Sequence, residues 1–337
     1  MAIESRIFYI SLRRSDFVGA VFGEKKMAQE LPLHEAWQHI NSIDWRESGF
    51  NIKKAYVCAL FSELTYYRIP DFELREADRV NVIPCLAYQR AVREGRSLDF
   101  DQTMRSLDFG QFFVVIRRYA IVVGVRTPNM IIIAIRGTKY LYDWVVNLHA
   151  SKHIIRERHH FEDFGEVGFH SGFFRAIFGC FEPVSREIKK FNLGDQDATP
   201  IYVTGHSLGG ALAAIMHVVW SREYPKVHAF PGNISYAAKT DASYTFGMPR
   251  YGDMRAVTQY ATPYHLYNEL DIVPTVPPKW LGFENCFSEF KLDGTSLENV
   301  QGRESLRFAS WLTRLMTGKG IANHAMEIYR ERIREAL

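Results

Sequence analysis

The sequence Gly-His-Ser-Leu-Gly at residues 205–209 constrains the fold of this chain more strongly than any other feature. Residues 201–204 before it carry β-branched and aromatic side chains that predict a short strand, and residues 211–220 after it favour a helix. A strand, a tight turn and a helix in this order are the context of a nucleophile elbow, in which the central serine stands clear of the sheet. The sequence therefore predicts that the hydroxyl group of Ser207 acts as a nucleophile.

The residues around this serine fit the same turn. Only small residues fit beside it, which explains Gly205 and Gly209, and His206 completes the elbow. Leu208 begins the predicted helix, where N–H groups lack intrahelical acceptors and the helix dipole is positive. We therefore expect the Leu208 N–H to face the negative charge that develops on a substrate oxygen. The alternative is a glycine turn that matches the pattern by chance.

The histidine that would activate the serine is predicted from chain order. A serine hydroxyl needs a base, and a carboxylate fixes the tautomer of that base. Sheets with such an elbow place the acid and then the histidine after the serine. Four histidines follow Ser207, namely His217, His228, His265 and His324. The first lies in the predicted helix and the next two precede the best acid, so His324 is the predicted base, with a helix-start or surface histidine as the alternative.

The best candidate for the acid is Asp271. It follows a predicted strand at residues 264–267, and the carboxyl ends of parallel strands are where such sheets carry functional groups. Aspartate is also common in turns and helix caps, so a purely structural role is the alternative. Glu269 and Asp253 are the reserve acids.

The wider pattern predicts an α/β fold. Strands are predicted at residues 112–116, 120–125, 130–135, 201–204, 244–247 and 264–267, and helices at residues 33–40, 51–67, 170–190, 211–220 and 322–336. After residue 130 strands alternate with helices, which predicts a mostly parallel central sheet with helices on both faces. No internal repeat or linker is visible, so we predict a single domain over residues 1–337.

Composition and motifs argue against several other classes of protein. A net charge of +3 gives no support for nucleic-acid binding, and no apolar stretch is long enough to predict a transmembrane segment. The four cysteines, Cys58, Cys85, Cys180 and Cys286, lack the spacing of a zinc site and are expected to be reduced and mostly buried. Residues 156–160 are polar but lack the spacing of a helical zinc pair, so we expect a solvated loop there and no metal.

Neither cofactor nor compartment has a sequence signal. No glycine-rich phosphate loop or dinucleotide fingerprint is present, so no cofactor is expected. The first residues do not form a signal peptide. Location is therefore unknown: the cytoplasm is the default expectation, and secretion stays open if a signal has been removed.

Taken together, these motifs resemble the class 3 lipases, the triacylglycerol-lipase group of the α/β-hydrolase superfamily. The resemblance covers roughly residues 50–335 and is carried, in the expected order, by residues 135–138, 143–148, 170–173, 205–210, 245–253, 268–274 and 323–324. It implies an α/β-hydrolase fold with a helical lid, and acylglycerols as substrates. It implies Ser207 as nucleophile, Asp271 as acid and His324 as base. It also implies Thr138 as an oxyanion-hole residue beside Leu208.

The lid implied by the resemblance would lie at about residues 139–152. Four apolar residues there share one helix face because of their spacing, namely Leu141, Trp144, Val145 and Leu148. Such a face would cover the active site when closed and contact a lipid–water interface when open. An ordinary amphipathic core helix is the alternative, since periodicity cannot distinguish a mobile face from a fixed one.

The resemblance leaves alternatives for the function. A phospholipase A1 or an esterase for soluble esters would use the same catalytic residues. A non-catalytic lipid-binding protein would keep the fold without the reaction, but it would not require all three of the candidate residues. The N-terminal residues 1–50 match no pattern and form an extension of unassigned role.

Overall fold

The structure of the protein is a computed structural model. It describes residues 33–66, 81–84, 111–117, 119–136, 151–159, 162–192, 199–221, 239–258, 260–293, 296–300 and 323–337. All of them lie in one compact unit, Leu31–Leu337. The prediction that residues 1–337 form one domain stays a prediction, because residues 1–32 lie outside the described residues.

A nine-stranded sheet runs through the described residues in the order β1-β2-β3-β4-β7-β8-β9-β10-β11. Its strands are β1 (Asn81–Pro84), β2 (Gln111–Arg117), β3 (Ala120–Arg126), β4 (Ile131–Arg136), β7 (Ile201–His206), β8 (Ala242–Phe246), β9 (Tyr264–Asn268), β10 (Ser288–Asp293) and β11 (Ser296–Val300). The neighbours from β4 to β10 pair in parallel, and the remaining pairs are antiparallel. The carboxyl ends of β4, β7, β8, β9 and β10 therefore lie along one edge.

Helices cover both faces of this sheet, as predicted. They are α1 (Leu33–Ser42), α2 (Ile52–Leu64), α3 (Ser171–Phe178), α4 (Phe181–Phe191), α5 (Leu208–Trp220), α6 (Met254–Thr258) and α7 (Met326–Glu335). One apolar core contains side chains of α3, α4, α5 and α6, and the other contains side chains of α1, α2 and α7. Along β4, Ile131, Ile133 and Ile135 enter the first core, whereas Ile132 and Ala134 enter the second. This alternation explains the unbroken apolar run, since β4 is buried on both faces.

The described end of the predicted N-terminal extension belongs to the second core. Ala36 and Ile40 of α1 are fully buried there, and the indole N–H of Trp45 donates to the Ile40 carbonyl over 2.9 Å. Helix α2 begins at a cap in which the Asn51 side chain accepts from two N–H groups of the first turn.

The single helix predicted over residues 170–190 is wrong, because the structure has two helices there. Helix α3 ends at Phe178 with Gly179 as its C-cap, and α4 begins at Phe181. A Cβ atom at Gly179 would displace the guanidinium end of Arg117. Glycine also weakens a helix interior, which fits a break at this position. The terminal helix likewise begins at Met326 rather than at residue 322.

The solvated loop predicted at residues 156–160 is also wrong. These residues fall largely in β5 (Lys152–His159), which pairs with β6 (Glu162–His170) as an antiparallel hairpin outside the main sheet. The charged sequence of β5 gives no alternating apolar pattern, so its pairing with β6 could not be predicted from periodicity. Strands β1, β10 and β11 were missed for a related reason, since each is short and depends on its sheet neighbours.

Candidate active site

Ser207 occupies the strained turn that the elbow requires. Its backbone has φ 59° and ψ −133°, and it is the one non-glycine residue with positive φ among the described residues. Such a conformation costs about 1–3 kcal/mol, so the surroundings must hold it in place. The Ser207 N–H donates to the Phe246 carbonyl over 2.9 Å, and the Ser207 carbonyl accepts from the Gly210 N–H over 2.9 Å.

Glycine at position 205 is a packing requirement of this turn. A Cβ atom there would overlap the main chain of Gly209, where the end of β7 crosses the start of α5. Leu208 is the first residue of α5. Its N–H is therefore one of the groups at a helix start that have no acceptor within the helix.

Asp271 and His324 form a buried pair on the loops beside this turn. The Nδ1–H of His324 donates to Oδ2 of Asp271 over 2.6 Å, although 53 residues separate them along the chain. The Tyr329 hydroxyl donates to the same oxygen over 2.6 Å, and the Val273 N–H donates to Oδ1 over 2.9 Å. Three donors thus meet the two oxygens, which is how a buried carboxylate is accommodated in a protein interior.

The two atoms that would exchange a proton are buried and uncommitted. Neither Oγ of Ser207 nor Nε2 of His324 has a hydrogen-bond partner among the described residues. Because Nδ1 of His324 carries the proton given to Asp271, Nε2 of the neutral ring is a proton acceptor. Unliganded sites commonly have longer catalytic hydrogen bonds than the reacting complex, so the missing contact is compatible with catalysis.

Gly247 lies between the serine strand and the acid–base pair. It has φ +52°, and a Cβ atom there would lie 2.8 Å from Oδ2 of Asp271 and 3.1 Å from Cε1 of His324. It directly follows Phe246, whose carbonyl holds the Ser207 N–H. The end of β8 therefore contacts both halves of the candidate site, and only glycine allows this approach.

The short segment before α7 is attached to the sheet by its main chain. The Asn268 side chain donates to the Asn323 carbonyl over 3.0 Å, and Nε2 of His206 lies 2.6 Å from the His324 carbonyl. The rings of His206 and His324 are 4.4 Å apart. His206, the residue before the predicted nucleophile, thus contacts the residue predicted to be the base.

His206 is neutral in this environment. Burial, and then the neighbouring His324, lower the pKa of His206 well below its ordinary value of 6.5. A carbonyl oxygen can only accept, so Nε2 of His206 carries the proton and Nδ1 accepts from the Tyr66 hydroxyl over 2.9 Å. That hydroxyl also lies 3.4 Å from the His206 carbonyl, and its shorter contact is with the ring.

Two tyrosines of the site had not been predicted. Tyr329 lies on α7 five residues after His324, and Tyr66 follows the end of α2. Tyr329 is close enough in sequence to the base that a donor to the acid could have been sought there. Tyr66 carries no such signal, because its contact with His206 spans 140 residues.

The reserve acids lie away from the serine. Glu269 is exposed and forms an ion pair with Lys291 over 3.0 Å. Asp253 accepts from the Gly168 N–H and from the Ala256 N–H, and so caps α6. Two other described histidines follow Ser207. The ring of His217 contacts Thr240 and the ring of His265 contacts Glu289, and neither ring forms a hydrogen bond with Oγ of Ser207.

Thr138 lies outside the described residues, and so do the four candidate lid residues Leu141, Trp144, Val145 and Leu148. The lid and the oxyanion role of Thr138 therefore stay predictions.

Further observations concern metals, membranes and thiols in the described part of the chain. No group of three or more His, Cys, Asp or Glu residues there could hold a metal ion. None of its helices combines the length and the apolar character needed to cross a bilayer. Cys58, Cys180 and Cys286 are buried and form no disulfide among the described residues, outside which Cys85 lies, and burial raises the pKa of Cys180 to about 12.

Sequence comparison finds a lipase family and its relatives. Residues 132–280 match the family described as lipase (class 3). The secreted mono- and diacylglycerol lipase 1 of Fusarium solani is 26% identical over 197 residues, which make up 56% of this chain and 52% of that protein. A lipase of Rhizomucor miehei is 35% identical over 106 residues, which make up 30% of this chain and 26% of that protein. The chain thus spans about half of the first relative and about a quarter of the second.

Structural comparison confirms the fold. The native propeptide complex of Rhizomucor miehei lipase superposes with a TM-score of 0.51 at 18% sequence identity. The match covers 84% of this chain and 82% of that one. The predicted α/β-hydrolase architecture is therefore confirmed, and the resemblance stated from the motifs is confirmed by the family match.

Proposed function

We propose that this chain hydrolyses carboxylic esters through a serine acyl-enzyme and that it acts on acylglycerols. The chain belongs to the class 3 lipase family, which residues 132–280 match. One observation carries the proposal. A strained Ser207 stands beside the buried His324–Asp271 pair, and the free Nε2 of that pair is the kind of base that a serine nucleophile needs.

In the first half-reaction, Nε2 of His324 takes the proton of Ser207 as Oγ attacks the acyl carbonyl. Asp271 holds the imidazole in the required tautomer and stabilises the imidazolium that forms. The negative oxygen of the tetrahedral intermediate accepts from the Leu208 N–H at the start of α5, and we assign the second donor to Thr138. The intermediate then collapses: its bond to the alkoxy oxygen breaks, His324 protonates the leaving alcohol, and the acyl group stays on Ser207.

In the second half-reaction, water replaces the alcohol. His324 removes a proton from the water as the water oxygen attacks the acyl-enzyme carbonyl, and the ester bond to Ser207 breaks. The proton returns to Oγ, and the carboxylic acid leaves. Every step uses side chains and main-chain groups of this chain, so the proposal requires no cofactor.

The substrate class is proposed from the relatives. The Fusarium protein is described as a mono- and diacylglycerol lipase and the Rhizomucor protein as a lipase. Acylglycerols are therefore the first substrates to test, with phospholipids and soluble esters as the competing classes.

The test compares the wild type with Ser207→Ala on p-nitrophenyl butyrate and palmitate, each below and above its solubility limit. We expect turnover by the wild type, loss of turnover in Ser207→Ala, and a rise in rate once an interface is present. Matched diacylglycerol and phosphatidylcholine dispersions then separate a lipase from a phospholipase A1.

Ser243→Ala is the matched control for the substitution. Ser243 is buried on β8, the strand next to β7, and it lies outside the candidate site. It should keep wild-type turnover. Turnover retained by folded Ser207→Ala would overturn the mechanism, and a rate indifferent to the interface would favour a soluble-ester esterase.

A further inference from the structure

We propose that His206 is a positioning residue, whose Nε2–H holds the main chain of His324 and thereby aims the base at the adjacent serine. The expected effect on kcat rests on the proposed function, whereas the hydrogen bond between His206 and His324 does not depend on any substrate. It gives His206 a role beyond completing the elbow turn.

The hydrogen bond at His206 has a defined direction. The acceptor is the carbonyl oxygen of His324, at 2.6 Å from Nε2, so the proton belongs to the ring nitrogen. The ring is buried, with only 5% of the residue exposed, so an alternative bond to bulk water is not available. Losing this donor would leave a buried carbonyl with one partner fewer, which favours movement of the segment that carries it.

Other contacts also hold the segment that carries the base. His324 precedes α7 by two residues, and the helix begins at Met326 without a side-chain cap. Asn268 holds the carbonyl of the preceding residue, Asn323, and Asp271 holds the His324 ring. The bond from His206 adds an attachment of this main chain to the end of β7, the strand that leads into Ser207.

The serine and this donor share one rigid element. His206 is the last residue of β7, and Ser207 follows it directly at the elbow. Any displacement of the strand end therefore moves nucleophile and base together. Displacement of a catalytic group by about 1 Å can cost about 100-fold in rate, so such coupling has a kinetic value.

The other face of the His206 ring is fixed as well. The carbonyl of His324 can only accept, so Nε2 carries the proton, and the Tyr66 hydroxyl at 2.9 Å from Nδ1 can donate to that nitrogen in the same tautomer. The guanidinium of Arg136 lies 5.9 Å from the centroid of the Tyr66 ring and packs over it. The His206 ring is thus contacted by a residue just after α2, which in turn packs against a residue of β4.

Two amide substitutions separate the two ring nitrogens. The amide of glutamine reaches about as far as Nε2 of histidine, whereas the amide of asparagine reaches only about as far as Nδ1. We expect His206→Asn to lower kcat by about 10- to 100-fold with KM within about two-fold. His206→Gln should restore most of kcat, because its amide can donate to the His324 carbonyl. Tyr66→Phe should give a smaller fall in kcat.

His217→Gln is the matched control, because His217 is also a buried neutral histidine but lies near the end of α5. It should keep kcat and KM while sharing any general cost of burying an amide. Equal kcat values for folded His206→Asn and His206→Gln, or a fall in both that appears only in KM, would overturn the proposal.

A spectroscopic measurement separates this inference from the proposed function. In protein labelled with ¹⁵N-histidine, two-bond ¹H–¹⁵N spectra should show His206 as the neutral Nε2–H tautomer from pH 5 to 8. Both variants remove the ring beside His324, but only the glutamine amide keeps a donor to the His324 carbonyl, so the ring signals of His324 should shift further in His206→Asn than in His206→Gln. An Nδ1–H tautomer of His206 in the wild type, or equal shifts of His324 in the two variants, would refute the positioning role. Absence of turnover in a wild type with the expected spectra would refute only the proposed function.

Discussion

Two buried histidine–carboxylate pairs of the same protein differ in the hydrogen bonds of the histidine ring. His324 donates to Asp271 over 2.6 Å at the carboxyl edge of the sheet, and Nδ1 of His265 lies 3.2 Å from Glu289 between neighbouring strands β9 and β10. Both pairs are almost completely excluded from solvent. A search for buried histidines beside carboxylates would therefore find both.

The second ring nitrogen distinguishes the pairs. Nε2 of His265 accepts from the Met248 N–H over 3.1 Å, so both of its nitrogens have protein partners. Nε2 of His324 has no hydrogen-bond partner among the described residues. A carboxylate partner thus orients a histidine in either case, but only an uncommitted second nitrogen leaves that histidine able to move a proton.

The largest effects on turnover should come from substitutions of Ser207 and of the His324–Asp271 pair. We expect Ser207→Ala and His324→Ala each to lower kcat by about a million-fold, because nucleophile and base act as a unit. The double variant should be hardly worse than either single one. Single-turnover assays check this, with circular dichroism to confirm folding, and additive losses would contradict a shared step.

Asp271→Asn should cost about 10⁴-fold in kcat, since the amide favours the wrong tautomer of His324. Glu269→Gln is the matched control, because Glu269 is an exposed reserve acid that pairs with Lys291. Steady-state kinetics on a soluble ester measure both variants. A larger loss in Glu269→Gln would show that Asp271 is not the acid.

Tyr329→Phe should have an intermediate effect. It removes one of two donors to Oδ2 of Asp271 and leaves the ring in place. A hydrogen bond to a charged group contributes about 1.5–3 kcal/mol, so we expect kcat to fall by about 10- to 100-fold. An unchanged kcat would mean that the contacts of Asp271 with His324 and with the Val273 N–H are enough to hold the carboxylate.

A substitution in the His265–Glu289 pair should change the stability of the protein rather than its turnover. Glu289→Leu removes the acceptor of the His265 Nδ1–H in a buried position, which should lower the free energy of unfolding by about 1–3 kcal/mol. Turnover by the folded variant should stay near that of the wild type. Urea titrations and kinetics measure the two quantities, and a large loss of kcat at unchanged stability would erase the distinction between the pairs.

A buried histidine with no carboxylate partner gives the smallest effect at neutral pH. Burial lowers the pKa of His217 from 6.5 to about 4. The unfolded chain therefore takes up this proton first, and stability should fall as the pH drops from about 6.5 to about 4, by about 3 kcal/mol at most. Urea titrations across this range should show a shallower decline for His217→Gln than for the wild type. Equal slopes would mean that His217 is protonated in the folded protein.

Local sequence was sufficient where neighbouring residues carry the structure. The elbow was predictable because its strand, turn and helix are contiguous and because only glycine fits at position 205. Chain order selected His324 as a candidate, and the place of Asp271 after a predicted strand selected the acid. The unbroken apolar run of β4, whose residues are all buried, fits the predicted sheet with helices on both faces.

Tertiary structure alone decided the contacts between distant segments. Tyr66 meets His206 across 140 residues, and His206 meets His324 across 118. The hairpin of β5 and β6, the break at Gly179 and the sheet partners of β10 also depend on neighbours that no local pattern identifies. The sequence by itself determined which residue types can perform the chemistry, because that depends on side-chain identity. Which nitrogen of which histidine stays uncommitted depends on packing, and packing exists only in the folded chain.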